Sequence, residues 1–103
     1  MFVHIFLFRW KADVSDAQKN RAQQEIEAFE GSIDGLKSIA VGANVSSQGG
    51  EFGFGGVMYF RDENAFSAYV VHPLHLKLLE WLVPLVDAVE CDIRANAQSQ
   101  RSR

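Results

Sequence analysis

Cysteine is nearly absent from this 103-residue chain: Cys91 stands alone, so no disulfide can form within it and nothing demands an oxidising compartment. Basic charge is scarce too. Ten Lys and Arg stand against thirteen Asp and Glu, a formal net charge of −3, and residues 96–103 hold Arg101 and Arg103 with no acid, which leaves −5 on the rest. A phosphate backbone wants clustered Lys and Arg, so nucleic acid is not an expected partner. No apolar run is long enough to cross a bilayer. The opening MFVHIFLF is ended by Arg9 and lacks a signal peptide's basic lead, so no membrane contact is expected and the expected location is the cytoplasm.

Several chemical signatures are missing as well. The glycine-rich run 49–56 has no following Lys-Ser/Thr and leads into a strand, so it is no phosphate loop. No serine or cysteine nucleophile pattern occurs, and Cys91 falls mid-strand, where a thiol is inert. His72 and His75 are two residues of a possible metal set, but zinc sites supply more ligands locally than this; no metal is expected. There is no repeat and no linker. One domain is expected over residues 1–95, with NAQSQRSR (residues 96–103) as a polar, frayed tail.

What is present is apolar and patterned. The chain is 48% hydrophobic and 12% aromatic, which excludes global disorder. Residues 2–10 read as a strand with Phe2, His4, Phe6, Phe8 and Trp10 on one side and Val3, Ile5 and Leu7 on the other. Ser15 and Gln18 form a capping-box pattern, predicting a helix over 16–30 whose Ala22, Ile26 and Phe29 face the sheet, a stripe that Ile33 continues. Leu36 to Val45 reads as a second strand with a bulge at Gly42, and Phe54 to Arg61 as a third. Asp62 caps a short helix to Val71. Pro73 breaks it and opens another, with Leu76, Leu79, Leu82 and Val83 as its stripe and Pro84 near its end. Val89, Cys91 and Ile93 alternate in a last strand. The order β-α-β-β-α-α-β predicts a ferredoxin-like α+β fold with a four-stranded antiparallel sheet.

In that topology the helices cover one face only. The first strand is apolar on both, so Val3, Ile5 and Leu7 would form an exposed patch. Full burial of such side chains is worth about 1.5–3 kcal/mol each, and no remaining segment can supply the lid. A second copy can, sheet against sheet. We therefore expect a homodimer with Val3, Ile5 and Leu7 in its interface.

With VHIFLFRWK at the start, GLKSIAVGANVS in the middle and YVVHPLH from Tyr69 to His75, the chain resembles the Dabb family of stress-responsive α/β-barrel domains. The resemblance covers residues 2 to about 94 and implies a dimeric α/β barrel. The family's histidine near the start of the first strand is met by His4, and its Tyr-x-x-His-Pro-x-His motif is complete. Asp34-Gly35 replaces the Pro-Gly often found after the first helix, and Gly53, Gly55 and Gly56 leave the third strand unusually bare. Many members have no assigned activity. In a plant polyketide cyclase of the family, which makes olivetolic acid, the motif's second histidine is the general base and its tyrosine assists. By resemblance those roles fall on His75 and Tyr69.

The chemistry is coherent. Cofactor-free cyclisation or isomerisation needs a base beside a carbonyl and a donor for the developing enolate oxygen, in a pocket that excludes water. A helix N-terminus and burial would both keep His75 neutral. Tyr69 and His75 would diverge on one continuous helix, so the break at Pro73 must bring them together. Expected walls are His4, Phe6, Phe8, Ile26, His72, Leu79 and Trp81, around a small-molecule ligand and no cofactor. The competing reading makes the same groups packing, with His75 bonded to backbone, His72 a helix cap and His4 satisfied within the sheet. Function thus divides between a small-molecule-binding dimer of uncharacterised role and a cyclase or isomerase of small polyketide-like or enolisable carbonyl compounds. A haem or oxygenase barrel shares the topology but finds no motif here.

Overall fold

The computed structural model describes residues 1–95; the tail expected over 96–103 lies outside them. The elements are β1 (Phe2–Trp10), α1 (Asp16–Glu27), β2 (Leu36–Ala43), β3 (Phe54–Phe60), α2 (Glu63–Val70), α3 (Pro73–Leu82), a short 3-10 turn (Val83–Leu85) and β4 (Val86–Arg94). The strands form one antiparallel sheet in the order β2-β3-β1-β4, with β2 and β4 at its edges. This is the ferredoxin-like α+β arrangement anticipated from the element order.

Local chemistry sets the boundaries. At the start of α1 the Ser15 hydroxyl accepts the Gln18 N–H at 3.1 Å, and Gln18 Oε1 accepts the Ser15 N–H at 2.9 Å. The helix stops at Glu27 rather than Glu30. Beyond it the N–H groups of Phe29 and Glu30 donate three residues back, at 3.0 and 3.2 Å, and the tighter turn closes the helix. Asp62 caps α2 by accepting the Ala65 N–H at 2.8 Å.

Two strand expectations are corrected. β2 ends at Ala43 instead of Val45, because Asn44 turns the chain: its side-chain amide donates to the Phe52 carbonyl at 2.8 Å and accepts the Ser46 N–H at 3.0 Å. The irregularity in β2 lies between Leu36 and Ser38, whereas Gly42 pairs in register with Gly55.

The helices pack on one face. Phe2, Phe6, Met58 and Phe60 of the sheet meet Ala22 and Ile26 of α1, Tyr69 of α2, and Leu78 and Leu82 of α3 in a single buried core. The stripe expected on α3 holds at Leu79 and Leu82 and is corrected at Leu76 and Val83. Leu78 and Leu82 are buried, while Leu76 and Val83 are about half exposed, at 46% and 55%. Counting from His75, the inward positions are 75, 78, 79 and 82, a regular helical face that leaves Leu76 outside it, while Val83 falls beyond the end of α3 in the 3-10 turn.

The opposite sheet face carries no helix. Val3 pairs with Tyr59 and Ile93, and Leu7 with Val89, so these side chains lie together there beside Ile5. Leu7, Tyr59, Val89 and Ile93 are between 36% and 52% exposed. No described helix is long and apolar enough to cross a membrane.

Candidate functional site

β4 is the strand under which the core runs out. Its helix-facing positions are Val86, Ala88 and Glu90, small or charged where the neighbouring strand carries Phe8 and Phe6. Too little side chain stands there to meet α3, and a cavity of about 340 Å³ remains between them, in the range that small-molecule sites occupy.

Of the wall residues expected from sequence, His4, Phe6, Phe8, Ile26 and Leu79 line this cavity, together with Tyr69 and His75. His72 and Trp81 do not. His72 caps α3, its Nδ1 accepting the Leu74 N–H at 3.1 Å. Trp81 lies between α3 and α1: its indole N–H donates to Glu25 at 3.2 Å, and the Arg21 guanidinium sits 4.1 Å above its ring.

The helix break builds the polar pair. Six residues on one helix would set Tyr69 and His75 roughly 120° apart around its axis. His72 is instead extended, at φ −66° and ψ 138°, because Pro73 follows it, and α3 sets off in a new direction. The Tyr69 and His75 rings consequently lie 4.3 Å apart, 31° from parallel.

Their protonation follows from their partners. His75 Nδ1 is 2.9 Å from the Val70 carbonyl, an acceptor only, so Nδ1 carries the proton and Nε2 keeps a free lone pair. Burial lowers the His75 pKa below 6.5, with smaller downward pushes from His4 and His72; the Val70 bond and Glu90 act the other way. At neutral pH the ring is an unprotonated base. Burial, then the Glu90 carboxylate, raises the Tyr69 hydroxyl well above its ordinary value, so it remains a donor. The hydrogen bonds of the described residues include none to this hydroxyl, yet no polar side-chain atom closed off from solvent lacks a partner. The hydroxyl therefore opens onto accessible space, and Tyr69 lines the cavity.

Among the described residues His4 is the one buried side chain of the polar and charged types, at 5% exposure. Its Nδ1 is 2.5 Å from Asp92 Oδ1 and its Nε2 3.6 Å from Glu90 Oε1. Sequence reasoning overlooked Glu90, as well as Phe66 one turn before Tyr69 and Val70 on α2. The alternation in β4 held the signal, since Glu90 shares a side with Ala88 and Asp92. Among the described residues no three His, Cys, Asp or Glu side chains gather as metal ligands do.

Fold and cavity together define a class: a ferredoxin-like α+β domain with a ligand-sized hollow between helices and sheet. The chain belongs to the stress-responsive A/B barrel (Dabb) family, whose model matches residues 2–94. No curated protein matches it. Among solved structures, a dimeric ferredoxin-like protein of unknown function from Thermobifida fusca is 29% identical, with a TM-score of 0.81 over 91% of this chain and 90% of that one. The hydroxynitrile lyase of Passiflora edulis is 16% identical, with a TM-score of 0.83 over 93% and 94% of the two chains. SnoaB, a cofactor-independent oxygenase from Streptomyces nogalater, is 14% identical, with a TM-score of 0.73 over 92% of each. At the identities of these last two the likeness is one of fold.

Proposed function

We propose that the protein is a cofactor-free enzyme that binds a small, largely apolar carbonyl compound and moves a proton on the carbon next to its carbonyl. The observation carrying this is the Tyr69–His75 pair at the cavity wall, one a fixed donor and the other a neutral base with Nε2 unengaged. His75 would take the proton while Tyr69 donates to the oxygen on which enolate charge develops, in a hollow whose rings and aliphatic groups keep that charge from water. Cyclisation and isomerisation share this step. One structural neighbour is named as a cofactor-independent oxygenase, which is in keeping with chemistry done on this fold without a cofactor.

The working unit in this reading is a homodimer. Val3, Ile5 and Leu7, with Tyr59, Val89 and Ile93, make an apolar sheet face that water disfavours and that a second sheet would cover. The Thermobifida fusca protein is described as dimeric, which supports this. The free thiol of Cys91 suits a reducing compartment, and we place the protein in the cytoplasm.

The test is deuterium uptake at the α carbon of small aryl ketones and β-keto thioesters in D₂O, followed by NMR. The native protein should accelerate uptake, and His75→Ala should lose about 10²–10⁴-fold of that acceleration, the usual worth of a positioned base. Equal rates in the two proteins would remove His75 from the chemistry and leave a binding dimer.

A further inference from the structure

The cavity wall is lopsided in charge. Rings and aliphatic groups make most of it, and no Lys or Arg reaches it among the described residues. Its one carboxylate is Glu90, which stands opposite Phe6 in the β1–β4 register. The Glu90 side chain is 61% exposed, so its charged head sits where the cavity opens to water.

His4 cannot cancel this charge. Its Nδ1 is already held by Asp92 at 2.5 Å, with Glu90 3.6 Å from Nε2. A neutral His4 leaves both carboxylates uncompensated, and a protonated one offsets a single carboxylate. Either way this side of the cavity is net negative. The other groups facing it, His75 and Tyr69, bring no positive charge at neutral pH.

We infer that Glu90 sets the charge preference of the ligand site: the cavity favours a neutral apolar molecule, or one with a cation placed at Glu90, over a carboxylate. This rests on reading the cavity as the ligand site. An anion entering it would shed hydration, find no basic partner and meet a fixed negative charge. An ammonium group would exchange water for the Glu90 carboxylate, with the faces of Phe6 and Phe8 on the adjoining strand. For the proposed reaction, the carbonyl compound is one without a free acid, and any step generating a carboxylate in the cavity would help expel its product.

The experiment uses three probes of nearly equal shape, 3-phenylpropan-1-amine, 3-phenylpropan-1-ol and 3-phenylpropanoate, titrated into the full chain at neutral pH and low salt. The expected order is amine tightest and carboxylate weakest, each step about fivefold, the upper end for a solvent-exposed ion pair. Glu90→Gln should bring the three affinities together, and Glu90→Lys should reverse the order; because Glu90 also faces the buried His4 at 3.6 Å, thermal unfolding of each variant confirms that it is folded before its affinities are compared. Carboxylate binding equal to alcohol binding in the native protein, or an unchanged order in Glu90→Gln, overturns the inference while the cavity reading stands. If none of the three binds, the cavity is not a ligand site and both readings fall.

Discussion

Replacing Gly56 with alanine tests the geometry of the cavity floor. Gly56 lies opposite Phe6 in the β1–β3 register, and a Cβ there would sit 2.4 Å from Phe6 Cζ, 2.9 Å from Cε1 and 3.0 Å from the Ala40 carbonyl oxygen. Carbon atoms settle at about 3.5–4.0 Å, so the Phe6 ring must move by roughly 1 Å or more. It is 4% exposed and lies between Phe8 and His4, with ring centroids 5.1 and 5.8 Å away. The direction open to it is the 340 Å³ cavity. Overpacking a filled core costs about 1–3 kcal/mol; here the ring has somewhere to go, while the Ala40 oxygen, being backbone, has less, so we take about 1–2 kcal/mol. Removing a strand glycine returns up to about 1 kcal/mol. The net loss is then about 1 kcal/mol, a Tm lower by about 4–8 °C for a domain of this size. Thermal unfolding followed by circular dichroism reads the first effect. Titration with 3-phenylpropan-1-ol and a bulkier naphthyl analogue reads the second, and the larger ligand should be lost first. Phe6→Leu should rescue Gly56→Ala, because the shorter side chain no longer reaches the new methyl group. A Gly56→Ala protein with native Tm and the native ligand-size limit would refute the account, as would a double mutant showing no coupling between the two sites.

Two further predictions concern the pair and the interface. The proton-transfer rate should fall on the acid side only as pH drops through the His75 pKa, which burial sets below 6.5, and should not fall towards pH 10, because the buried Tyr69 keeps its proton there; an acid limb centred above 6.5 in the pH–rate profile would contradict the assigned base. Leu7→Glu places a charge in the middle of the apolar sheet face, so the mutant should sediment as a monomer at concentrations where the native protein is dimeric. A native protein that is already monomeric at micromolar concentration would instead sink the dimer.

The features legible in the sequence were those written in a local period or a local cap. β1 shows its two faces outright, with Phe2, His4 and Phe6 buried where a period of two places them. Ser15 with Gln18, and Pro73 after His72, mark helix starts through bonds spanning a few residues. α3 resisted for a different reason. Leu74, Leu76, Leu78, Leu79, Leu82 and Val83 offer an apolar stripe in almost any phase, so the helix's orientation is decided by what it packs on, with His75 turned inward to Tyr69. Trp81 misled because a large aromatic residue is also amphipathic: half-buried against the core, it is turned to Glu25 and Arg21 of α1 and not to the cavity.

Glu90 marks where local reading ends. Within β4 it is one acid among exposed positions, indistinguishable from a solubilising residue at a sheet edge. It becomes part of a cavity only because Phe6 pairs with it and His4 reaches Asp92, a contact spanning 88 residues. The period of a strand tells which side chains share a face, but the pairing partner decides whether that face meets helices or water. A charged residue on the helix-facing side of an edge strand is therefore at once soluble in appearance and able to select a ligand. The charge order of three isosteric probes measures which of these Glu90 does, because a purely solubilising carboxylate would leave their affinities equal.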